Sequence, residues 1–381
     1  MDAGTWWMGL HAQGALVALA LTPAILLLLQ PLALRLGWLD YPTQPRKHHQ
    51  APTPVTGGPA IFLAVLLAAA ATSMPMTDAT WGLLAGGVLL LVVGVLDDMY
   101  DLRWYWRIGA QVVAALLMIL VGGVQVEQVG PMLGMRDTGL GMLSVPITVI
   151  ATVGLINAIN MIDGIDGLAG SLAAAFMFML VAAAMYAGNA LIAGRALVLG
   201  AAVCGFLLMN LRLPWQPRAR AFLGNSGSAL LGFTAAWLAF RLTQHPGHPV
   251  SPVLALWLLP VPVMDTLVLV ATRLKRGQSP FHADRNHIHH LMLDAGFKPS
   301  GIVASLVGFS LLCGLAAALL MRLDVPNVAL LLAFLLLCGW WGWLTLRRAR
   351  ALRFLRGLRR VGHATSAPLD EAEIDEISPP H

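Results

Sequence analysis

ALVALALTPAILLLLQPLAL, residues 15–34, runs for 20 positions without a charged side chain. A helix of ~20 such residues crosses the hydrocarbon core of a bilayer, so this stretch reads as a membrane span. Arg35 follows at once, then Arg46 and Lys47, and basic residues gather on the cytoplasmic side of spans. That order places the N-terminus outside. The residues from Met1 to Trp7 include no base, so no cleavable signal peptide is expected.

The rest of the chain has the same character. Hydrophobic residues make up 58% and charged ones 11% of its 381 residues, with a mean hydropathy of +0.74. A soluble domain carries roughly 25% charged residues, so a soluble enzyme is excluded. The fold class expected is all-α, a polytopic membrane helical bundle. Apolar runs predict about eleven transmembrane helices, near 14–34, 57–73, 80–96, 106–123, 141–157, 168–187, 190–210, 226–243, 252–271, 301–321 and 327–346. With the N-terminus outside and the C-terminus cytoplasmic, all but four of the 24 Lys and Arg fall in cytoplasmic segments, the exceptions being Arg136, Arg195, Arg241 and Arg322.

Residues 1–346 thus form one integral membrane domain, followed by a cytoplasmic tail over 347–381. The tail opens with Arg347 to Arg360, basic with interleaved apolar residues, which suits a helix lying on anionic lipid. It ends in an acidic stretch from Asp370 to Glu376 that is expected to be disordered. The net charge of +5 follows from this membrane asymmetry, so no nucleic-acid partner is implied. Cys204, Cys313 and Cys338 are three in number, each inside an apolar run, and read as packing residues.

Four polar clusters fall on the cytoplasmic side. The most informative is Asn157-Ala158-Ile159-Asn160-Met161-Ile162-Asp163-Gly164-Ile165-Asp166-Gly167-Leu168-Ala169-Gly170, at the join of two apolar runs. An acidic group in or near hydrocarbon is costly and marks function by default. Asn160, Asp163 and Asp166 are three apart, which predicts one face of a helix or helical turn. A second cluster, Asp97-Asp98-Met99-Tyr100-Asp101, sets carboxylates side by side, an arrangement that a divalent metal or a proton relieves.

The third, Phe222-Leu223-Gly224-Asn225-Ser226-Gly227-Ser228, opens a span with small residues. It reads either as a phosphate seat at a helix N-terminus or as a small-residue helix contact. The fourth runs from Thr272 to Leu291 and includes Arg273, Lys275, Arg276, Asp284, Arg285, His287, His289 and His290. Cations here suit a diphosphate. The histidines lack the partner spacing of a zinc site, which leaves phosphate binding or proton transfer. Lys47, beside Arg46, His48 and His49, adds positive charge near the second span. Together the clusters ask for phosphoryl transfer between a soluble phosphorylated donor and a lipid, with acidic residues holding Mg²⁺. A transporter or flippase is the main alternative, since Asp265 lies inside the ninth span. No internal repeat supports it.

These residues carry a family resemblance over the whole span region. Asp97 to Asp101 matches DDxxD. Asn157 to Leu168 matches NxxNxxDGxDGL, a long and specific pattern. Asp284-Arg285-Asn286-His287-Ile288-His289-His290 is similar to DRxHIHH. The chain resembles the polyprenyl-phosphate N-acetylhexosamine-1-phosphate transferases, glycosyltransferase family 4, in the branch that uses GlcNAc.

The resemblance implies a Mg²⁺-dependent transfer of GlcNAc-1-phosphate from a UDP-sugar, UDP-GlcNAc, to undecaprenyl phosphate, with Mn²⁺ an open substitute. QuiNAc, FucNAc and GalNAc donors also stay open. It implies a bacterial inner-membrane enzyme among membrane lipids, starting O-antigen or common-antigen synthesis, with a homodimer open. Asp97, Asp98, Asp163, Asp166, His287, His289 and His290 would be catalytic. Lys47, Asn157, Arg273, Arg276 and Arg285 would bind substrate, while Asp97, Asp98, Asn160 and Asn225 would hold the metal. One position departs from the family: its FxGDxGS carries a metal-binding aspartate where this chain has Asn225. Either Asp98 compensates, or the enzyme needs more Mg²⁺, or the chain is a weakened paralogue.

Overall fold

The structure is a computed structural model and describes residues 3–41, 52–130, 139–244, 250–279 and 286–364. It is all-helical apart from a two-residue antiparallel pairing of β1 (Leu39–Asp40) with β2 (Thr53–Pro54). Fourteen α-helices follow one another among the described residues: α1 (Ala3–Leu36), α2 (Gly57–Ala71), α3 (Asp78–Tyr100), α4 (Trp104–Leu120), α5 (Ser144–Ile162), α6 (Leu168–Tyr186), α7 (Ala190–Asn210), α8 (Gly224–Thr243), α9 (Pro252–Leu258), α10 (Pro260–Lys275), α11 (Ile288–Asp294), α12 (Pro299–Arg322), α13 (Asn327–Thr345) and α14 (Arg348–Ala364).

Every apolar run read as a span is helical. Among the described residues, seven helices are long and apolar enough to cross a membrane, or eight if the bent pair α9–α10 counts as one span, against the eleven expected. α2 and α4 are apolar but shorter, at 15 and 17 residues. Large apolar side chains such as Leu28, Leu312 and Leu336 are exposed on the outer surface, as the lipid-facing side of a membrane bundle requires.

The expected ninth span, 252–271, is not one straight helix. It turns by 92° between α9 and α10. Pro260 and Pro262 open α10, and a proline cannot donate to the preceding turn and clashes with it. The α10 half packs on α5 and α13 and ends at Lys275.

At the centre lies α8, buried along almost its whole length. It tolerates Ser226, Ser228 and Thr234 because it meets protein on all sides. α3 and α5 flank it, and glycines set how close they come. A Cβ on Gly94 would overlap the Ser226 backbone, one on Gly232 would overlap Ile156, and one on Gly58 would overlap Gly227. Small residues of this kind let helix backbones approach closely inside a membrane. The basic segment after Arg347 forms α14, whose Ala351 and Leu355 are buried against the bundle. Arg348 Nη2 pairs with Asp294 Oδ2 at 2.7 Å, tying α14 to α11.

Candidate functional site

The C-terminal ends of α3, α5 and α10 and the N-terminal ends of α4, α8 and α11 meet at one end of the bundle. There they enclose a cavity of about 290 Å³. Asp97, Arg107, Asn157, Asn160, Asn225, Arg273, His287 and His290 supply its polar lining, and Leu90, Val93, Trp104 and Ile108 an apolar side. The four sequence clusters thus converge. Lys47 and Arg285 lie outside the described residues.

The two adjacent aspartates of α3 point to different partners. Asp97 is buried, at 3% exposure. Its Oδ1 accepts from Leu102 N at 2.9 Å, and its Oδ2 pairs with Arg107 Nη1 at 3.4 Å. Asp98 reaches α8 instead: Asn225 N donates to Oδ1 at 2.7 Å, and Ser226 N and Oγ donate to Oδ2 at 3.3 and 3.0 Å. A carboxylate suits a helix N-terminus, where unpaired N–H groups and the dipole favour negative charge. The amides offered by the sequence as a phosphate seat are therefore filled by Asp98. Gly224 makes this possible, with φ of +74° and no room for a Cβ beside Asp98.

Asn160, on the last turn of α5, donates through Nδ2 to Asn225 Oδ1 and Ser228 Oγ, both at 2.9 Å. Asn157, one turn earlier, donates to Gln111 Oε1 at 2.7 Å. The expected single helical face does not continue. α5 stops at Ile162 with Asp163 as its cap, and the chain turns through Gly164 to Gly167, where φ reaches +82°. A glycine takes this left-handed conformation without the clash a Cβ would bring. Asp163 and Asp166 consequently leave the helical face that carries Asn157 and Asn160, and Asp163 stays near Asp98.

Asp166 Oδ2 instead pairs with Arg212 Nε at 2.7 Å, in the loop before α8. Asp163 accepts no hydrogen bond among the described residues. Burial, then the Asp98 and Asp166 carboxylates, push its carboxyl up to about 7.

The histidines divide by role. His287 Nδ1 lies 2.7 Å from Asp265 Oδ2, and Asp265 Oδ1 accepts from Ile288 N and Trp341 Nε1 at 3.3 and 3.2 Å. Asp265 is thus no stray acid in a span; it fixes the ring that lines the cavity. His289 is buried at 1% exposure and packs on Gly164, where a Cβ would collide with its ring. His290 lines the cavity. Arg273 is buried and lines it too, whereas Arg276 caps α10 with its side chain exposed and takes no part in the lining. The helix end sends successive cations to different sides.

Sequence reasoning missed Arg107, Gln111, Arg212 and the role of Asp265. Arg107 and Gln111 are four apart on α4, one turn of a helix, and that spacing in an apolar run was the available signal. Arg212 gave none beyond its charge.

Does this end suit a divalent cation? Among the described residues no three His, Cys, Asp or Glu side chains converge as a metal-binding group. The oxygens on offer are mixed. Asp163 stands without a hydrogen-bond donor close to two further carboxylates, and the Asn160–Asn225 amides adjoin. Mg²⁺ commonly takes one or two carboxylates with water and substrate phosphates, and that donor set fits it.

A family model described as glycosyl transferase family 4 matches residues 80–243. Among curated proteins, the chain is similar to the undecaprenyl-phosphate alpha-N-acetylglucosaminyl 1-phosphate transferase of Haemophilus influenzae, 34% identical over 336 residues, covering 88% of this chain and 94% of the relative. It is similar to the enzymes of the same name from Yersinia pestis, 34% identical over 88% of this chain and 92% of the relative. For the one from Escherichia coli strain K12 the identity is 32%, over 89% and 92%.

Proposed function

The chain belongs to glycosyl transferase family 4, and we propose that it transfers GlcNAc-1-phosphate from UDP-GlcNAc to undecaprenyl phosphate. The products are undecaprenyl-diphospho-GlcNAc and UMP, and the step starts assembly of an O-antigen or common-antigen type glycan. The reaction belongs at the cytoplasmic face of the bacterial inner membrane. The observation that carries this reading is the cavity itself, whose cationic and amide side adjoins an apolar side at the helix ends.

A lipid phosphate oxygen forms a bond to the phosphorus bearing the sugar. The bond from that phosphorus to the bridging oxygen breaks, and UMP leaves with the electron pair. Arg107, Arg273, His287 and His290 face this exchange and offset the phosphate charges. Asp265 holds His287 through Nδ1, which leaves Nε2 for a phosphate oxygen. Asp97 orients Arg107, and Asp98 orients Asn225 by bonding its backbone. Mg²⁺ would be held by Asp163 with the Asn160 and Asn225 amide oxygens, supplying charge neutralisation to the diphosphate.

The test is UMP release by the purified protein with undecaprenyl phosphate, Mg²⁺ and UDP-GlcNAc, beside UDP-QuiNAc, UDP-FucNAc and UDP-GalNAc. Release from UDP-GlcNAc that stops on adding EDTA is expected. No UMP from any donor sinks the transferase reading, and release from another donor alone replaces GlcNAc.

A further inference from the structure

The other end of the bundle holds two arginines that the reaction does not use. Arg195 lies near the start of α7 and is 7% exposed. Its Nη2 donates to Pro75 O at 2.9 Å and to Thr80 Oγ1 at 2.7 Å, while its guanidinium lies 5.4 Å from the centre of the Trp237 ring. Its Nη1 is buried and has no hydrogen-bond partner. Arg241, in the last turn of α8, is near enough to act on it as a like charge, and the Arg241 Nε is also buried and unpartnered. His11 packs on Gly194 alongside and brings no negative charge. Neither arginine pairs with a carboxylate among the described residues. Intramembrane cations without an acidic partner are costly and mark function by default.

A second observation says what kind. Arg195 and Thr80 line a groove that is otherwise apolar, walled by Phe62, Val65, Leu84 and Leu230. The Thr234 hydroxyl in its wall is already bonded to Leu230 O at 2.7 Å. Leu67 on α2, Met76 in the turn after it and Trp81 on α3 are exposed nearby, so this flank faces lipid. An apolar groove with a cationic end is complementary to part of an amphiphile with a negative head.

We infer that this groove binds an anionic phospholipid of the leaflet opposite the catalytic cavity. One acyl chain lies between α2, α3, α7 and α8, and its phosphate sits at the Arg195 end of the groove, where Arg241 adds a second positive charge behind it. A zwitterionic lipid would bring a second cation towards two guanidinium groups, so the site selects net negative charge. It is independent of the proposed reaction: Asn225 and Arg241 are sixteen residues apart on α8, about 24 Å at the helical rise.

The test is native mass spectrometry of the full chain released from nanodiscs of equal dioleoylphosphatidylglycerol and dioleoylphosphatidylcholine. The protein should retain a phosphatidylglycerol in preference to phosphatidylcholine. The double variant Arg195→Gln, Arg241→Gln should lower that preference about tenfold, as loss of charge-assisted hydrogen bonds implies. Ala69→Trp, which fills the groove from a half-exposed position and keeps both arginines, should lower retention of phosphatidylglycerol as well. UMP release should be unchanged in both variants. Equal retention of the two lipids, or a preference that survives the double variant, overturns the proposal. Displacement of the lipid signal by inorganic phosphate would make the site a seat for a soluble anion instead.

Discussion

Asn225 differs from the aspartate of the resembling family by one amide nitrogen, and its surroundings say what that change does. Its Oδ1 accepts from Asn160 Nδ2, and its backbone is held by Asp98. An aspartate would keep both bonds and add a charge at the N-terminus of α8, where negative charge is favoured. Asn225→Asp should therefore lower the Mg²⁺ needed for half-maximal activity by about tenfold; an unchanged or higher requirement would remove Asn225 from the metal site. Asp163 gives a pH prediction. Its carboxyl is raised to about 7, so the site is protonated below that pH and charged above it. A cation must displace the proton, so Mg²⁺-induced thermal stabilisation should be weak at pH 6 and strong at pH 8. In Asp163→Asn that difference should vanish. The four clusters were legible as residues, because polar groups stand out in apolar sequence. Their partners were not: Asp265 with His287 and Asp166 with Arg212 are pairings across 22 and 46 positions.

At the scale of elements, α8 does the positioning. Its N-terminus holds Asn225 towards Asn160, and its contact with α3 rests on Gly94, where a Cβ would overlap the Ser226 backbone. Gly94→Ala should destabilise the protein by ~1–3 kcal/mol, the usual cost of overpacking, and reduce transfer by pulling Asp98 away from α8. Gly109→Ala is the control, because nothing lies within 4 Å of its added methyl. Unfolding in detergent compares the two, and equal stability would show that the α3–α8 contact tolerates a spacer. Helix existence was legible from apolar run length. The break of 92° at Leu259–Pro260 was signalled by its prolines, but its direction depends on what α10 packs against, namely α5 and α13.

For the whole molecule the prediction concerns sidedness. Gln278 follows α10 at the cavity end, and Glu127 follows α4 at the far end; both are exposed. In a variant lacking Cys204, Cys313 and Cys338, Gln278→Cys should react with a membrane-impermeant maleimide only after the inner membrane is opened. Glu127→Cys should react in intact spheroplasts. The reverse pattern would invert the proposed orientation.

The sequence alone determined that this chain lives in a membrane, which apolar runs are helical, and which polar clusters stand out from them, because hydrophobicity and motif spacing are local properties. Tertiary structure decided which oxygens and nitrogens are committed and which are left over. Asp97 and Asp98 are neighbours in sequence, yet one orients Arg107 and the other caps α8. Asp163 alone of the acidic residues around the DGxDG turn keeps its carboxylate unbonded. Packing at helix ends sets these assignments, since glycine contacts and the break between α9 and α10 fix which segments of distant sequence come within hydrogen-bonding reach.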